Sequence, residues 1–309
     1  MEVFHGYEAL PARARGAVAA LGNFDGVHRG HAAVIAEAAS LARSLDAAPG
    51  AAVFTPHPRL VFQPDAEPFA LMTDAQRSRA LAAEGAQLIH HIPFDRALAQ
   101  MTPETFVDRV LHQGLGLAGV VTGADFCFGK DRTGDAEMLR SLAGRRGIAV
   151  RITEKIAENG QAGKISSSGI RAALRAGEPE RAATLLGRPF AIEGGVEKGD
   201  QRGRTIGFPT ANIALGAYVR PALGVYAIRA RLEDGRSIPG VANLGMRPTF
   251  GGLDARLEAH LFDFSEDLYG RTVECALIGF IRPEQRFDGL DALKAQITRD
   301  CETARLMLS

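Results

Sequence analysis

Near Leu186 the hydrophobic period of this chain changes, and that change limits the fold more than any single motif. Before it, short apolar runs alternate with stretches patterned at helical spacing. "AVAALG" (17–22), "AAVFT" (51–55), "QLIHHIPF" (87–94), "AGVVTG" (118–123) and "IAVRIT" (148–153) read as strands. The stretches 31–45, 73–85, 102–114 and 136–147 read as helices. In the first of them Val34, Ile35, Ala38, Leu41, Ala42 and Leu45 share one face. Thr73 suits the start of the second helix and Gly85 its end. Such β–α alternation predicts an α/β domain whose parallel sheet is covered on both faces. After the change, glycines and prolines punctuate short strand-like runs: "AIEGGVEKG", "GVYAIRARL", "SIPGVANLG", "RLEAHLFDF" and "TVECALIGFI". That rhythm predicts a small antiparallel barrel or sandwich. A helical stretch at 177–187 links the halves and an amphipathic helix over 289–307 ends the chain. The expected domains are therefore 1–186 and 187–309.

Composition narrows the function classes. Apolar residues make up 46% and charged residues 23%, the balance of a globular protein. Thirty-six basic residues offset thirty-six acidic ones, so the net charge offers no footprint for nucleic acid. Cys127, Cys275 and Cys301 are far apart and odd in number, which argues against a disulfide framework and for a reducing cytoplasm. The start, "MEVFHGYEALPARARG", lacks a signal-peptide pattern, and no apolar run is long enough to span a bilayer. The expectation is a cytoplasmic protein with no membrane or nucleic-acid partner and no evident obligate protein partner.

The stretch "GNFDGVHRGH" (22–31) carries the chemistry of the first half. It joins a strand to a helix, and a helix start presents free N–H groups and a positive dipole end to phosphate. Gly22, Gly26 and Gly30 allow tight bends or close approach of a ligand. His28 and His31 would then donate ring hydrogen bonds to phosphate oxygens during phosphoryl or nucleotidyl transfer. On spacing alone two other readings stand: surface histidines flanking a turn, or, with His57, part of a zinc site. The fingerprint G-x-G-x-x-G is absent, which argues against a nicotinamide dehydrogenase.

"TPHPR" (55–59) and "GADFCFGKDRTGD" (123–135) follow the second and fourth expected strands, at the carboxyl ends where open α/β sheets bind ligands. "ISSSGIRAAL" (165–174) offers three hydroxyls at a helix start, then Arg171 one turn inward, which suits phosphate contact or ordinary serine capping. In the second half, Thr210 and Asn212 of "GRTIGFPTANI" (203–213) lie on one side of an extended segment, where oxygen ligands suit a hard cation such as Mg²⁺. Strand alternation in "RLEAHLFDFSEDLYG" puts Glu258 and His260 on one face, and a carboxylate beside a hydroxyl substrate can act as general base. Arg282 and Phe287 of "GFIRPEQRF" could hold a flat ring or pack a barrel end.

"GNFDGVHRGH" with "ISSSGIRAAL" resembles the nucleotidyltransferase superfamily marked by an H-x-G-H element. "TPHPR" and "GADFCFGKDRTGD" resemble its FMN adenylyltransferase branch. From about Gly187 onward, "GRPF", "GRTIGFPTAN", "GVYA", "GVANLGMRPTF", "LEAHLFDF" and "FIRPEQRF" resemble a riboflavin kinase module. Together they resemble the bacterial bifunctional riboflavin kinase/FAD synthetase family over nearly the whole chain. That resemblance implies a Rossmann-like N-terminal domain with a parallel sheet, then a small antiparallel β-barrel with a terminal helix. It implies phosphorylation of riboflavin to FMN by ATP and Mg²⁺, then adenylylation of FMN to FAD with release of pyrophosphate. It places His28 and His31 at the adenylyl transition state, with Gly22, Phe24, Asp25, Gly30, Ser166, Ser167 and Arg171 on ATP. FMN would meet His57, Pro58, Arg59, Asp125 and Phe126. In the kinase, Glu258 would be the base and Gly199, Arg204, Thr210 and Asn212 would contact ATP, the last two also Mg²⁺. Arg282, Gln285 and Phe287 would contact flavin. The chain departs from the family pattern at Asp125, where some members carry Asn, and at Gly169, where larger residues are frequent. An H-x-G-H transferase acting on another acceptor would have no need of the "GFPTAN" module.

Overall fold

A computed structural model gives residues 1–154, 165–198, 207–249 and 252–309, in two units: Met1–Ala66 with Asp74–Ile165, and Glu67–Thr73 with Ser166–Ser309. The first unit holds strands β1 (Glu2–His5), β2 (Val18–Gly22), β3 (Pro49–Thr55), β4 (Leu88–Pro93), β5 (Gly119–Gly123) and β6 (Ala149–Thr153). They form one parallel sheet in the order β1-β4-β3-β2-β5-β6. Its helices are α1 (Arg29–Ser44), α2 (Pro58–Phe62), α3 (Asp74–Ala83), α4 (Arg96–Ala99), α5 (Pro103–Phe106) and α6 (Ala136–Gly144), with α5 continuing as π-helical turns over Val107–Gly114.

The apolar runs that mark β2, β3 and β5 are unbroken because both sheet faces are covered. Core side chains from Leu21, Phe54, Ile92, Val120, Phe106 and Leu139 pack in one cluster. Strand β1 escapes the sequence pattern. As an edge strand it buries only Phe4, so its other residues are polar or half-exposed.

The second unit starts with α7 (Ser167–Arg175) and α8 (Pro179–Leu186). A nearly closed antiparallel barrel follows: β7 (Phe190–Gly195), β8 (Ala211–Ala214), β9 (Gly224–Arg231), β10 (Ser237–Thr249), β11 (Gly252–Leu261) and β12 (Thr272–Pro283). The hydrogen-bonded order is β7-β12-β9-β10-β11-β8, and the Glu197–Asn212 bridge brings the chain after β7 against β8. Closure hides the strand edges, which the sandwich alternative would leave open. Helix α9 (Leu290–Leu308) lays Ala304 and Leu308 on Val225, Ala227, Val241 and Phe262.

The division between units falls after Ile165, earlier than the 186/187 boundary expected from the sequence. Helices α7 and α8 bury Ile170, Leu174, Leu185 and Leu186, and α8 packs on β7 and β12. The Ala222 N–H also donates to the Leu174 carbonyl at 2.9 Å. Segment Glu67–Thr73 joins this unit as well: Ala70 pairs with Tyr218, its N–H donating to the Ala217 carbonyl at 2.9 Å.

Candidate active sites

In the parallel sheet, strand order reverses at β2, which has β3 on one side and β5 on the other. The loops after β2 and β5 therefore open a crevice at the carboxyl edge, the position where such sheets bind nucleotides. The loop after β2 is the histidine stretch. Its backbone is strained: Phe24 and Val27 adopt φ of 50° and 38° beside Gly26 at 91°, a conformation costly for residues with a Cβ. Phe24 and Asp25 are buried, and the Phe24 ring stands 3.3 Å from where a Cβ on Gly22 would lie.

His28 caps α1. Its Nδ1 accepts the His31 N–H at 3.3 Å while His31 Nδ1 accepts the His28 N–H at 3.4 Å. Because both Nδ1 atoms accept, each neutral ring carries its proton on Nε2. The rings stack 3.6 Å apart at 14°, and Phe24 meets His31 edge-on at 5.1 Å. A Cβ on Gly30 would lie 3.1 Å from the His28 ring, so the glycine makes room for the pair. The structure thus brings His28 and His31 together as matched Nε2–H donors at a helix start. Among the described residues no group of three or more His, Cys, Asp or Glu side chains could hold a metal, so the zinc alternative has no ligand set there.

At the end of β3, His57 caps α2, its Nδ1 accepting the Arg59 N–H at 3.1 Å; Pro58 opens the helix and Arg59 reaches Gln63 at 3.3 Å. After β5, Asp125 lies 3.2 Å from where a Cβ on Gly123 would be. Phe126 starts a row of rings missed by sequence reasoning: Phe126, Phe128, Phe106, Phe54, Phe94 and Phe62, with neighbouring centroids 5.5–6.1 Å apart. Phe62 ends that row with 64% of its surface exposed. These residues are scattered between positions 54 and 128 of the sequence, so no local pattern reveals them.

Ser166, Ser167 and Arg171 belong to the second unit. Ser166 caps α7, its Oγ accepting the Gly169 N–H at 3.2 Å, which is the ordinary capping role the sequence also allowed. Arg171 donates from Nε to the Phe69 carbonyl at 2.7 Å and lies 5.3 Å from the Phe69 ring centroid.

In the barrel, strand register places Glu258 directly opposite Asn212 of β8 and Asn243 of β10. The Asn212 side chain and Thr210, just before β8, line a cavity of about 440 Å³ shared with Val196, Pro209, Phe264 and Tyr269. His260, on the same face as Glu258, donates from Nδ1 to the Pro209 carbonyl at 2.9 Å and so holds the "PTAN" segment in place. Arg247 was not singled out from the sequence. Its Nε and Nη2 both donate to Glu258 Oε1, at 2.8 and 2.7 Å. Arg282 lies 5.6 Å from the Phe287 ring centroid, but its guanidinium is bidentate to the buried Asp300 at 2.7–3.1 Å. Gln285 is exposed after β12. Gly199 and Arg204 lie outside the described residues.

Comparison with known proteins covers both units. A family profile described as FAD synthetase matches residues 10–169, and one described as riboflavin kinase matches 186–308. The bifunctional riboflavin kinase/FMN adenylyltransferase of Escherichia coli (strain K12) is 40% identical over 306 residues, 99% of this chain and 97% of its own. The Bacillus subtilis (strain 168) protein of that name is 37% identical over 310 residues, 98% and 96% of the two chains. A crystal structure of a Streptococcus pneumoniae protein described as a macrolide-efflux protein matches with TM-score 0.86 at 31% identity over 99% of both chains. No helix among the described residues of the present chain is long and apolar enough to cross a membrane. With both profiles in sequence order and end-to-end identity to these relatives, the chain belongs to the bifunctional riboflavin kinase/FMN adenylyltransferase family.

Proposed function

We propose that this chain converts riboflavin to FMN in the barrel unit and FMN to FAD in the parallel-sheet unit, using ATP in both steps. The observation that carries the reading is the coexistence of two unlike sites: paired Nε2–H donors at the β2–α1 turn, and a carboxylate facing Asn212 across two barrel strands.

For adenylyl transfer, the FMN phosphate is already a nucleophile and attacks the α-phosphorus of ATP in line. His28 and His31 donate to the oxygens where negative charge accumulates, an arrangement fixed before substrate arrives. Gly22, Phe24, Asp25 and Gly30 shape the ATP side of that loop. Ser166, Ser167 and Arg171 are assigned to the departing pyrophosphate. His57, Pro58 and Arg59 are assigned to FMN with Asp125 and Phe126, and the exposed face of Phe62 suits the flavin ring.

For phosphorylation, Glu258 accepts the proton of the ribityl 5′-hydroxyl as that oxygen attacks the γ-phosphate. Arg247 contacts Oε1, and Oε2 is assigned to the hydroxyl. The cavity beside Thr210 and Asn212 suits a nucleotide, with Gly199 and Arg204 assigned to its phosphates. Mg²⁺ fits the donor set: the Thr210 and Asn212 oxygens are hard but few, so phosphate and water would complete the shell, as that ion prefers. When bound it neutralises phosphate charge. Arg282 is assigned to flavin through Phe287 while Asp300 fixes its orientation, with Gln285 beside it in sequence. The test is to incubate the purified full chain with riboflavin, ATP and Mg²⁺ and follow products by chromatography. FMN followed by FAD is expected; unmodified riboflavin and FMN would refute the reading.

A further inference from the structure

We propose that Arg77 is a positioning residue for adenylyl transfer, one guanidinium joining the histidine loop after β2 to the "TPHP" turn after β3. The inference rests on the reading of the parallel-sheet unit as the adenylyltransferase. Arg77 sits on α3 with 4% of its surface exposed. From Nη1 it donates to the Asn23 carbonyl at 3.1 Å and the Phe54 carbonyl at 3.3 Å; from Nη2 it donates to Thr55 Oγ1 at 2.6 Å and Asp74 Oδ1 at 2.7 Å. Asn23 lies within the loop that carries His28 and His31, and Thr55 lies two residues before His57. The clamp therefore reaches both segments assigned to substrate, from beneath the carboxyl edge of the sheet.

The clamp is itself held. Ser78 gives its single hydrogen to the Asp74 carbonyl at 2.9 Å and so accepts from His91 Nε2–H at 3.0 Å. That leaves Nδ1 of the neutral ring to accept the Thr55 hydroxyl hydrogen at 3.0 Å, while Thr55 Oγ1 accepts from Arg77. The ring of bonds closes through Asp74 back to Arg77 and admits a single sense of donation, which fixes it more firmly than separate pairs would be. Asp74 and Asp25 both favour the charge that burial of Arg77 disfavours. An arginine that served only its own helix would need Asp74, its i,i+3 partner within α3, and no more. Spending a buried planar fork on one carbonyl of the histidine loop and one at the end of β3 is a device for fixing their separation.

A displacement of the histidines by about 1 Å from the α-phosphorus is enough to cost ~10²-fold in turnover. The test uses full-length Arg77→Lys and Arg77→Met proteins, with FAD formation from FMN, FMN formation from riboflavin, and hydrogen exchange of peptides covering β2 to β5 measured on each. Lysine retains the charge opposite Asp74 but cannot span both loops. The expected result for Arg77→Lys is a roughly 10²-fold fall in kcat for FAD formation, with KM for FMN and ATP within threefold, wild-type riboflavin phosphorylation and wild-type exchange protection. Arg77→Met should lose at least as much turnover. Recovery of kcat by lysine to within threefold of wild type would overturn the proposal, as would a loss confined to KM. Loss of exchange protection across β2–β5 in step with activity in Arg77→Lys would reduce Arg77 to a structural role and also overturn it. Absence of FAD formation by the wild-type chain would instead overturn the adenylyltransferase reading.

Discussion

His90→Leu should stabilise the parallel-sheet unit and flatten its response to acid. His90 is fully buried on β4, stacked on Phe4 with centroids 5.6 Å apart, and neither ring nitrogen has a hydrogen-bond partner among the described residues. Burial lowers its pKa from the ordinary 6.5 to about 4; His91 beside it is lowered to about 4 by burial first and by Arg77 second. In the unfolded chain both imidazoles take up protons near pH 6.5, whereas in the folded chain they resist until about pH 4. Stability is therefore complete above pH 6.5, falls as pH drops through that window, and levels off below pH 4. The difference for His90 alone is about 3 kcal/mol over the whole window and about 2 kcal/mol of it is lost by pH 5. Leucine has nearly the same volume and no polar atoms, so at pH 7 the variant should gain ~1 kcal/mol or more from removal of an unsatisfied N–H. Urea unfolding of the full chain followed by far-ultraviolet circular dichroism reads both quantities, with hydrogen exchange of β4 peptides assigning the transition. The wild-type acid limb should correspond to two protons and that of the variant to one. A variant less stable at pH 7, or an acid limb of unchanged steepness, would refute the claim that His90 is an unpartnered neutral imidazole.

Glu258→Gln should reduce FMN formation by ~10²–10⁴-fold while FAD formation from supplied FMN continues, as measured by chromatography of the two half-reactions. His31→Ala should do the reverse, lowering FAD formation by ~10²-fold or more, with riboflavin phosphorylation at the wild-type rate. Asp300→Ala leaves the Arg282 guanidinium, 14% exposed, without its bidentate partner in the barrel unit. The unfolding transition of that unit should lose ~3 kcal/mol, and a loss below 1 kcal/mol would mean that Arg282 finds another acceptor.

The sequence alone determined the two architectures and their order, because hydrophobic period is a local consequence of which face of a helix or strand is buried. It also singled out His28, His31, Glu258, Thr210 and Asn212 as candidates, each standing in a short stretch of chemically suggestive residue types. Tertiary structure alone decided which distant residues meet. The reciprocal Nδ1 bonds that set both histidine tautomers are local, yet the buried fork of Arg77 that ties their loop to β3 comes from 54 residues away. Arg247 reaches Glu258, and Asp300 reaches Arg282, only through strand register and helix docking. The edge strand β1 and the phenylalanine row were equally invisible, since neither leaves a periodic trace in a single segment. Period records burial within one element; partnership depends on how elements pack, and that is a property of the folded chain.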